Sequence, residues 1–173
     1  MIEKDSYSGL SWITDEMKDE IRKRDKIVNE ENMEVLFLLG DNSYFSIALH
    51  QILVNRFDKN PNSLNPIQLN LFLCMHLENA GQADSILSFL QEWFPEQKEQ
   101  IIKSLNEIGA TKSSEIIKQA VELLPKNGSC FFENSDENSE ILMSKLDRDF
   151  SNYPDGSMID LYRKYTEKHR NKI

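Results

Sequence analysis

The chain has 173 residues, 39% hydrophobic and 28% charged, and its 20 basic against 29 acidic side chains give a formal charge of −9. Folding at this length removes roughly 70% of the surface that the unfolded chain exposes, so neither a metal nor a disulfide framework is needed to hold one domain together. The negative field opposes phosphate, which argues against direct binding to DNA, RNA or an anionic membrane.

Helical spacing recurs along the chain and alternating strand spacing is nearly absent. Thr14, followed by Asp15 and Glu16, reads as an N-cap, and Met17, Ile21 and Val28 trace one face of a first helix. The run from Val35 to Leu39 fits either a buried strand or the last turns of a helix, with Gly40-Asp41-Asn42 breaking the chain after it. Phe45, Ala48, Leu49, Ile52, Leu53 and Phe57 give a three-four spacing that predicts a helix from Ser43 to Phe57.

A polar turn, Asp58 to Asn65, precedes Pro66 at the first helical position, where a missing amide hydrogen costs nothing. Ile67 to Leu77 is apolar on nearly all sides and reads as the central buried helix, ended by Asn79-Ala80-Gly81. A shorter helix follows through Ala83, Ile86, Leu87, Leu90 and Phe94. Pro95 then opens a helix ending at Gly109, and Thr111 is placed to cap a partner helix that Pro125 stops, which together make a helical hairpin. Lys126 to Asn138 reads as an acidic loop. Two last helices follow, one through Ile141, Leu142, Leu146 and Phe150, and one from Ser157 through Met158, Leu161, Tyr162 and Tyr165. The fold class is therefore all-α, a single-domain multi-helix bundle of about seven or eight helices.

No apolar run exceeds the five residues of Val35–Leu39 or Leu71–Met75, so neither a signal peptide nor a membrane span is expected. Cys74 and Cys130 stand far apart, outside any Cys-x-x-Cys spacing, and read as reduced thiols of a cytoplasmic protein. Asn127-Gly128-Ser129 matches a glycosylation acceptor, which without an export signal carries no meaning.

Sites for chemistry are scarce. His50, His76 and His169 are isolated along the chain and lack the pairing that a metal set needs. Asp58-x-Asn60-x-Asn62 and Asp147-x-Asp149-x-Ser151 begin like calcium loops but fail at the glycine and glutamate positions, so no metal and no cofactor is expected. Asp15 with Asp19, Glu16 with Glu20 and Asp136 with Glu140 are carboxylate pairs of acid-base spacing, but solvated faces account for them better because no His, Lys or metal set stands beside them. Trp12, Trp93 and Phe94 read as core packing, since Glu92 and Glu96 flank the latter two.

The charge itself is unevenly placed. Residues 1–26 carry seven acids and six bases (−1), residues 27–160 twenty-one acids and nine bases (−12), and residues 161–173 one acid and five bases (+4). The densest stretch is Asn127 to Asp160, where Glu133, Asp136, Glu137, Glu140, Asp147, Asp149, Asp155 and Asp160 face only Lys145 and Arg148. These eight carboxylates are the candidate binding residues. The basic end, Arg163, Lys164, Lys168, Arg170 and Lys172, suits the C-terminus of the last helix.

Two segments resemble a known family. Ser104-Leu105-Asn106-Glu107-Ile108-Gly109-Ala110, continued by Ile116-Ile117-Lys118-Gln119-Ala120 and Leu124-Pro125, is one; Leu146-Asp147-Arg148-Asp149-Phe150 with Tyr153-Pro154-Asp155 is the other. From about Leu64 to the end of the chain the sequence is similar to the DNA-mimic protein family, small acidic bacterial proteins with a helical domain. The resemblance implies a dimeric protein whose carboxylates replace DNA phosphates on the DNA-binding face of a basic regulator. Of the nominated acids only Asp147, Asp149 and Asp155 lie in matched segments, and the other five rest on charge density. One departure stands out: family members carry an Asn-Gly-Gly turn and following aromatics, where this chain has Glu78-Asn79-Ala80-Gly81-Gln82-Ala83-Asp84. Beside the mimic reading stand two others, a carboxylate-cluster enzyme or small-molecule binder, and a helical domain whose charge serves solubility alone.

Overall fold

Caps and prolines set most helix starts in the computed structural model, which describes residues 13–173. Helix α1 (Asp15–Glu30) begins where Thr14 accepts a hydrogen bond from the Met17 amide at 3.2 Å. Glu31, in the left-handed region at φ 48°, ends it and leads into α2 (Met33–Phe37). The Val35–Leu39 run is thus mostly short helix, and no strand occurs among the described residues.

Asp41 caps α3 (Asn42–Lys59), which buries Phe45, Ala48, Leu49, Ile52 and Leu53. Asn65 and Gln68 cap α4 (Pro66–Ala83) reciprocally, Asn65 accepting from the Gln68 amide at 3.1 Å while Gln68 accepts from the Asn65 amide at 3.1 Å. This helix does not stop at Asn79-Ala80-Gly81 as the sequence suggests. It runs to Ala83, and Gly81 serves packing instead: a Cβ there would stand 3.0 Å from Cδ1 of Phe150, whose ring rests against the bare backbone. Where the resemblance implies a glycine turn, this helix runs on unbroken.

Beyond it, α5 (Ile86–Ser88) opens into a π-helical turn, Phe89–Trp93, where a regular helix was expected. The wider turn buries Phe89 and Leu90 but leaves Trp93 43% exposed, against the expectation of a core residue. A 3₁₀ turn at Pro95–Gln97 leads into α6 (Lys98–Ile108), closed by Gly109 at φ 93°, and α7 (Thr111–Leu123) returns beside it. The expected acidic loop holds a further short helix, α8 (Phe131–Asn134). The chain then forms α9 (Glu137–Ser151), α10 (Met158–Lys168) and a terminal 3₁₀ turn at Arg170–Lys172. On α9 the buried face is Met143, Leu146 and Phe150; Ile141, 62% exposed, and Leu142 point outward, contrary to the sequence reading.

α4 is the hub, packing on α3, α5, α6 and α9, while α7 packs on α9 and α10 on α3 and α6. A buried polar relay joins them: Asn70 donates to the Tyr165 hydroxyl at 3.0 Å and accepts from Ser104 at 2.9 Å. Arg163 of α10 lies over the Phe45 ring at 4.3 Å and donates to the carbonyls of Leu39 and Phe37, so this cation satisfies the end of α2 rather than that of its own helix. Among the described residues no helix is long and apolar enough to cross a membrane.

Candidate functional site

The eight nominated carboxylates fall into two kinds once their partners are known. Four carry the fold. Asp136 caps α9 by accepting from the Ser139 amide at 2.8 Å, and this hydrogen bond holds its carboxyl below the ordinary carboxylate range. Asp147 reaches across to the start of α5 and accepts from the Ile86 amide at 2.7 Å. Asp155 caps α7 from outside, accepting from the Lys112 amide at 2.9 Å, the Ser113 amide at 2.7 Å and the Ser113 hydroxyl at 2.8 Å. That cap replaces the one expected from Thr111, which is instead the first helical residue. Asp160 accepts from Asn42 at 2.8 Å and so ties α10 to α3.

The remaining four are held less. Glu133 on α8 and Glu137 in the first turn of α9 are exposed, Glu140 accepts from the Ser135 hydroxyl at 2.8 Å, and Asp149 is half-buried. Glu137, Glu140 and Asp147 share one edge of α9 by their spacing of three and seven residues; Asp149, nine residues after Glu140, falls on the opposite flank. Glu137, Glu140 and Asp147 thus form a stripe along one edge of α9, with Glu133 on α8 before it and Asp149, Asp155 and Asp160 off it.

None of the eight makes an ion pair with a described residue. On α1 the opposite holds: Lys18 pairs with Asp15 at 3.2 Å, Arg22 with Asp19 at 2.9 Å, Lys23 with Glu20 at 4.0 Å and Lys26 with Glu30 at 3.9 Å. Of the two acidic pairs on α1, Asp15 with Asp19 and Glu16 with Glu20, all but Glu16 are thus paired with a base of the same helix. Apolar groups accompany the stripe. Phe132 is 64% exposed, and it lines a cleft of about 80 Å³ together with Ile86, Leu87, Met143, Glu140 and Asp147.

Two contacts of titratable groups, between His50 and His76 and between Glu78 and two tyrosines, have no mark in the sequence. His50 and His76, 26 positions apart, meet at 3.1 Å between α3 and α4, His76 Nδ1 also lying 3.0 Å from the Phe72 carbonyl that it donates to. Burial, with His76 adding, holds the His50 pKa down to about 4. Glu78 is pushed upward by burial, with the Tyr162 and Tyr153 hydroxyls beside it opposing the shift. Tyr153 takes the left-handed φ of 54° next to Pro154 and Asp155. Among the described residues no group of three or more His, Cys, Asp or Glu could hold a metal, and Cys74 is buried and Cys130 exposed, both as free thiols. Trp12 lies outside the described residues.

No curated protein and no solved structure is similar enough to the chain to count as a match. One family model does match, described as DMP19-like protein, and it covers residues 62–169, from the turn before α4 to the end of α10. Within that span lie the relay at Ser104, the Gly109 stop, the caps from Asp147 and Asp155, and the whole unpaired acidic stripe. With well over half of its length inside the match, the chain belongs to the DMP19-like protein family.

Proposed function

We propose that the protein is a DNA mimic of the cytoplasm, whose carboxylates on α8 and α9 occupy the DNA-binding face of a basic regulator. The observation that carries this reading is the contrast in pairing: α1 pairs five of its six acids within the helix, whereas the acids from Glu133 to Asp147 on α8 and α9 make no ion pair with a described residue and keep their charge for something outside the chain. Family membership supports it too, since DMP19 is a DNA-mimic family. The same membership suggests a homodimer, which would present two stripes to a dimeric reader.

A solubility coat is the competing account, and it predicts no selective partner. The test immobilises the protein and collects what binds from a bacterial lysate at low salt and is released at high salt. Each DNA-binding regulator so obtained is then placed on its labelled DNA and titrated with the free protein, anisotropy reporting release of the DNA. Displacement at low salt supports the mimic. A regulator that stays on its DNA at every concentration of the protein contradicts it.

A further inference from the structure

The cleft between α5 and α9 has features that a row of phosphate substitutes does not require. At about 80 Å³ it is far smaller than the roughly 300–1,000 Å³ of small-molecule sites, so it can take no more than part of one side chain. Its walls are apolar, from Ile86, Leu87, Met143 and the exposed ring of Phe132, while Glu140 and Asp147 stand at its rim on one edge of α9. Both carboxylates are oriented in advance. Glu140 spends Oε1 on the Ser135 hydroxyl and Asp147 spends Oδ1 on the Ile86 amide, which leaves Oε2 and Oδ2 without a hydrogen bond or an ion pair among the described residues. Phe132 is braced edge-on against buried Phe131, their centroids 5.4 Å apart at 70°.

We propose that this cleft is an arginine-reading anchor, taking one arginine side chain from the basic protein that the acidic stripe attracts. The inference rests on the proposed function for its partner but adds a specific contact. The arginine's guanidinium plane would lie on the exposed Phe132 ring, its stem over the accessible edges of Leu87 and Met143, and its forked donors would face the free oxygens at the rim. Lysine fits less well, because a point ammonium neither stacks as a plane on the ring nor donates as a rigid fork. The chain seats its own arginines in the same manner: Arg163 lies over Phe45 at 4.3 Å and Arg170 over Phe37 at 4.4 Å. An apolar floor under paired acids is the form of a binding hot spot, whereas charge alone supplies steering.

The test is an amide-resolved NMR titration of the whole protein with acetyl-Gly-Arg-Gly-amide and, as the matched control, acetyl-Gly-Lys-Gly-amide. Saturable shifts centred on Phe132, Glu140, Ser144 and Asp147 are expected for the arginine peptide, with binding about fivefold tighter than for lysine. Phe132→Ala and Glu140→Gln should each weaken it about fivefold while leaving the rest of the spectrum in place. Asp147 is left intact because its loss would also uncap Ile86. Equal shifts for both peptides, shifts spread over all exposed acids, or the same four amides moving on dilution of the protein alone, as a second copy in the cleft would cause, each overturn the anchor. DNA displacement that persists in Phe132→Ala while the peptide shows no saturation removes the anchor and leaves the mimic standing. A saturable arginine site in a protein that displaces no DNA does the reverse.

Discussion

Asp155 shows how far a single side chain can depart from what its position in the sequence suggests. By charge alone it belongs with the acidic surface, yet it accepts three hydrogen bonds from the first turn of α7 and so supplies the cap that Ala110 cannot. Nothing local marks this, because donor and acceptor stand 42 and 43 positions apart. Asp155→Ala should cost about 2 kcal/mol, a cap plus one further hydrogen bond, read as a lowered urea midpoint at unchanged slope. A midpoint equal to that of the parent would contradict the capping role. By contrast the cap at Thr14 was legible, since the residue precedes the helix it opens by one position and accepts from a local amide, as Asn65 and Ser157 also do. Ile141 and Leu142 were misjudged for a related reason. Three apolar residues in a row satisfy any phase, and Leu146 with Phe150 selects Met143 for the core.

At the scale of elements, the α3–α4 contact contains a group that titrates. His50 and His76 belong to neighbouring helices, and their encounter depends on how those helices pack, which no spacing in either helix reveals. With its pKa held to about 4 instead of 6.5, His50 refuses a proton that the unfolded chain accepts. The native state then binds fewer protons than the unfolded state between about pH 6.5 and pH 4, so stability is full above that window and falls as pH drops through it, by up to about 3 kcal/mol. Asp58 near His76 acts the other way on that ring, favouring its charged form, but does not outweigh burial. Carboxylates titrate in the same range, so the comparison is between the parent and His50→Gln, each measured at pH 7 and pH 4.5. The parent should lose more stability on acidification than the variant. Equal losses would mean that His50 contributes nothing to the pH dependence. The helix inventory, by comparison, was mostly readable, because Pro66, Pro95, Gly109 and Pro125 punctuate it. Gly81 was the exception, a glycine placed for the Phe150 ring inside a continuing helix.

For the molecule as a whole, the question is which acids serve the fold and which serve a partner. The sequence located the dense stretch but could not divide it, since division depends on which carboxylates find amides elsewhere in the bundle. Structure assigns Asp136, Asp147, Asp155 and Asp160 to hydrogen bonds that hold elements together. Glu133, Glu137, Glu140 and Asp149 are then the four whose charge the fold does not need. Replacing them by the corresponding amides should change stability by no more than about 1 kcal/mol, a little lost at the α9 dipole from Glu137 and a little gained from reduced repulsion. Thermal unfolding of the fourfold variant checks this, and a large fall in Tm would mean that these acids too are structural. If these acids stand in for phosphates, the same variant, which neutralises Glu137 and Glu140 of the stripe with Glu133 and Asp149 beside it, should be well folded and a much weaker competitor.

The most direct measurement is therefore a competition titration, with a captured basic regulator on its labelled DNA challenged in parallel by the parent protein and by the fourfold amide variant at low salt. The account predicts that the parent releases the DNA and that the variant needs at least about tenfold more protein to do so, the loss of roughly 1.4 kcal/mol or more of charge-dependent affinity. Equal displacement by the two proteins would contradict it, as would a parent protein that releases no DNA.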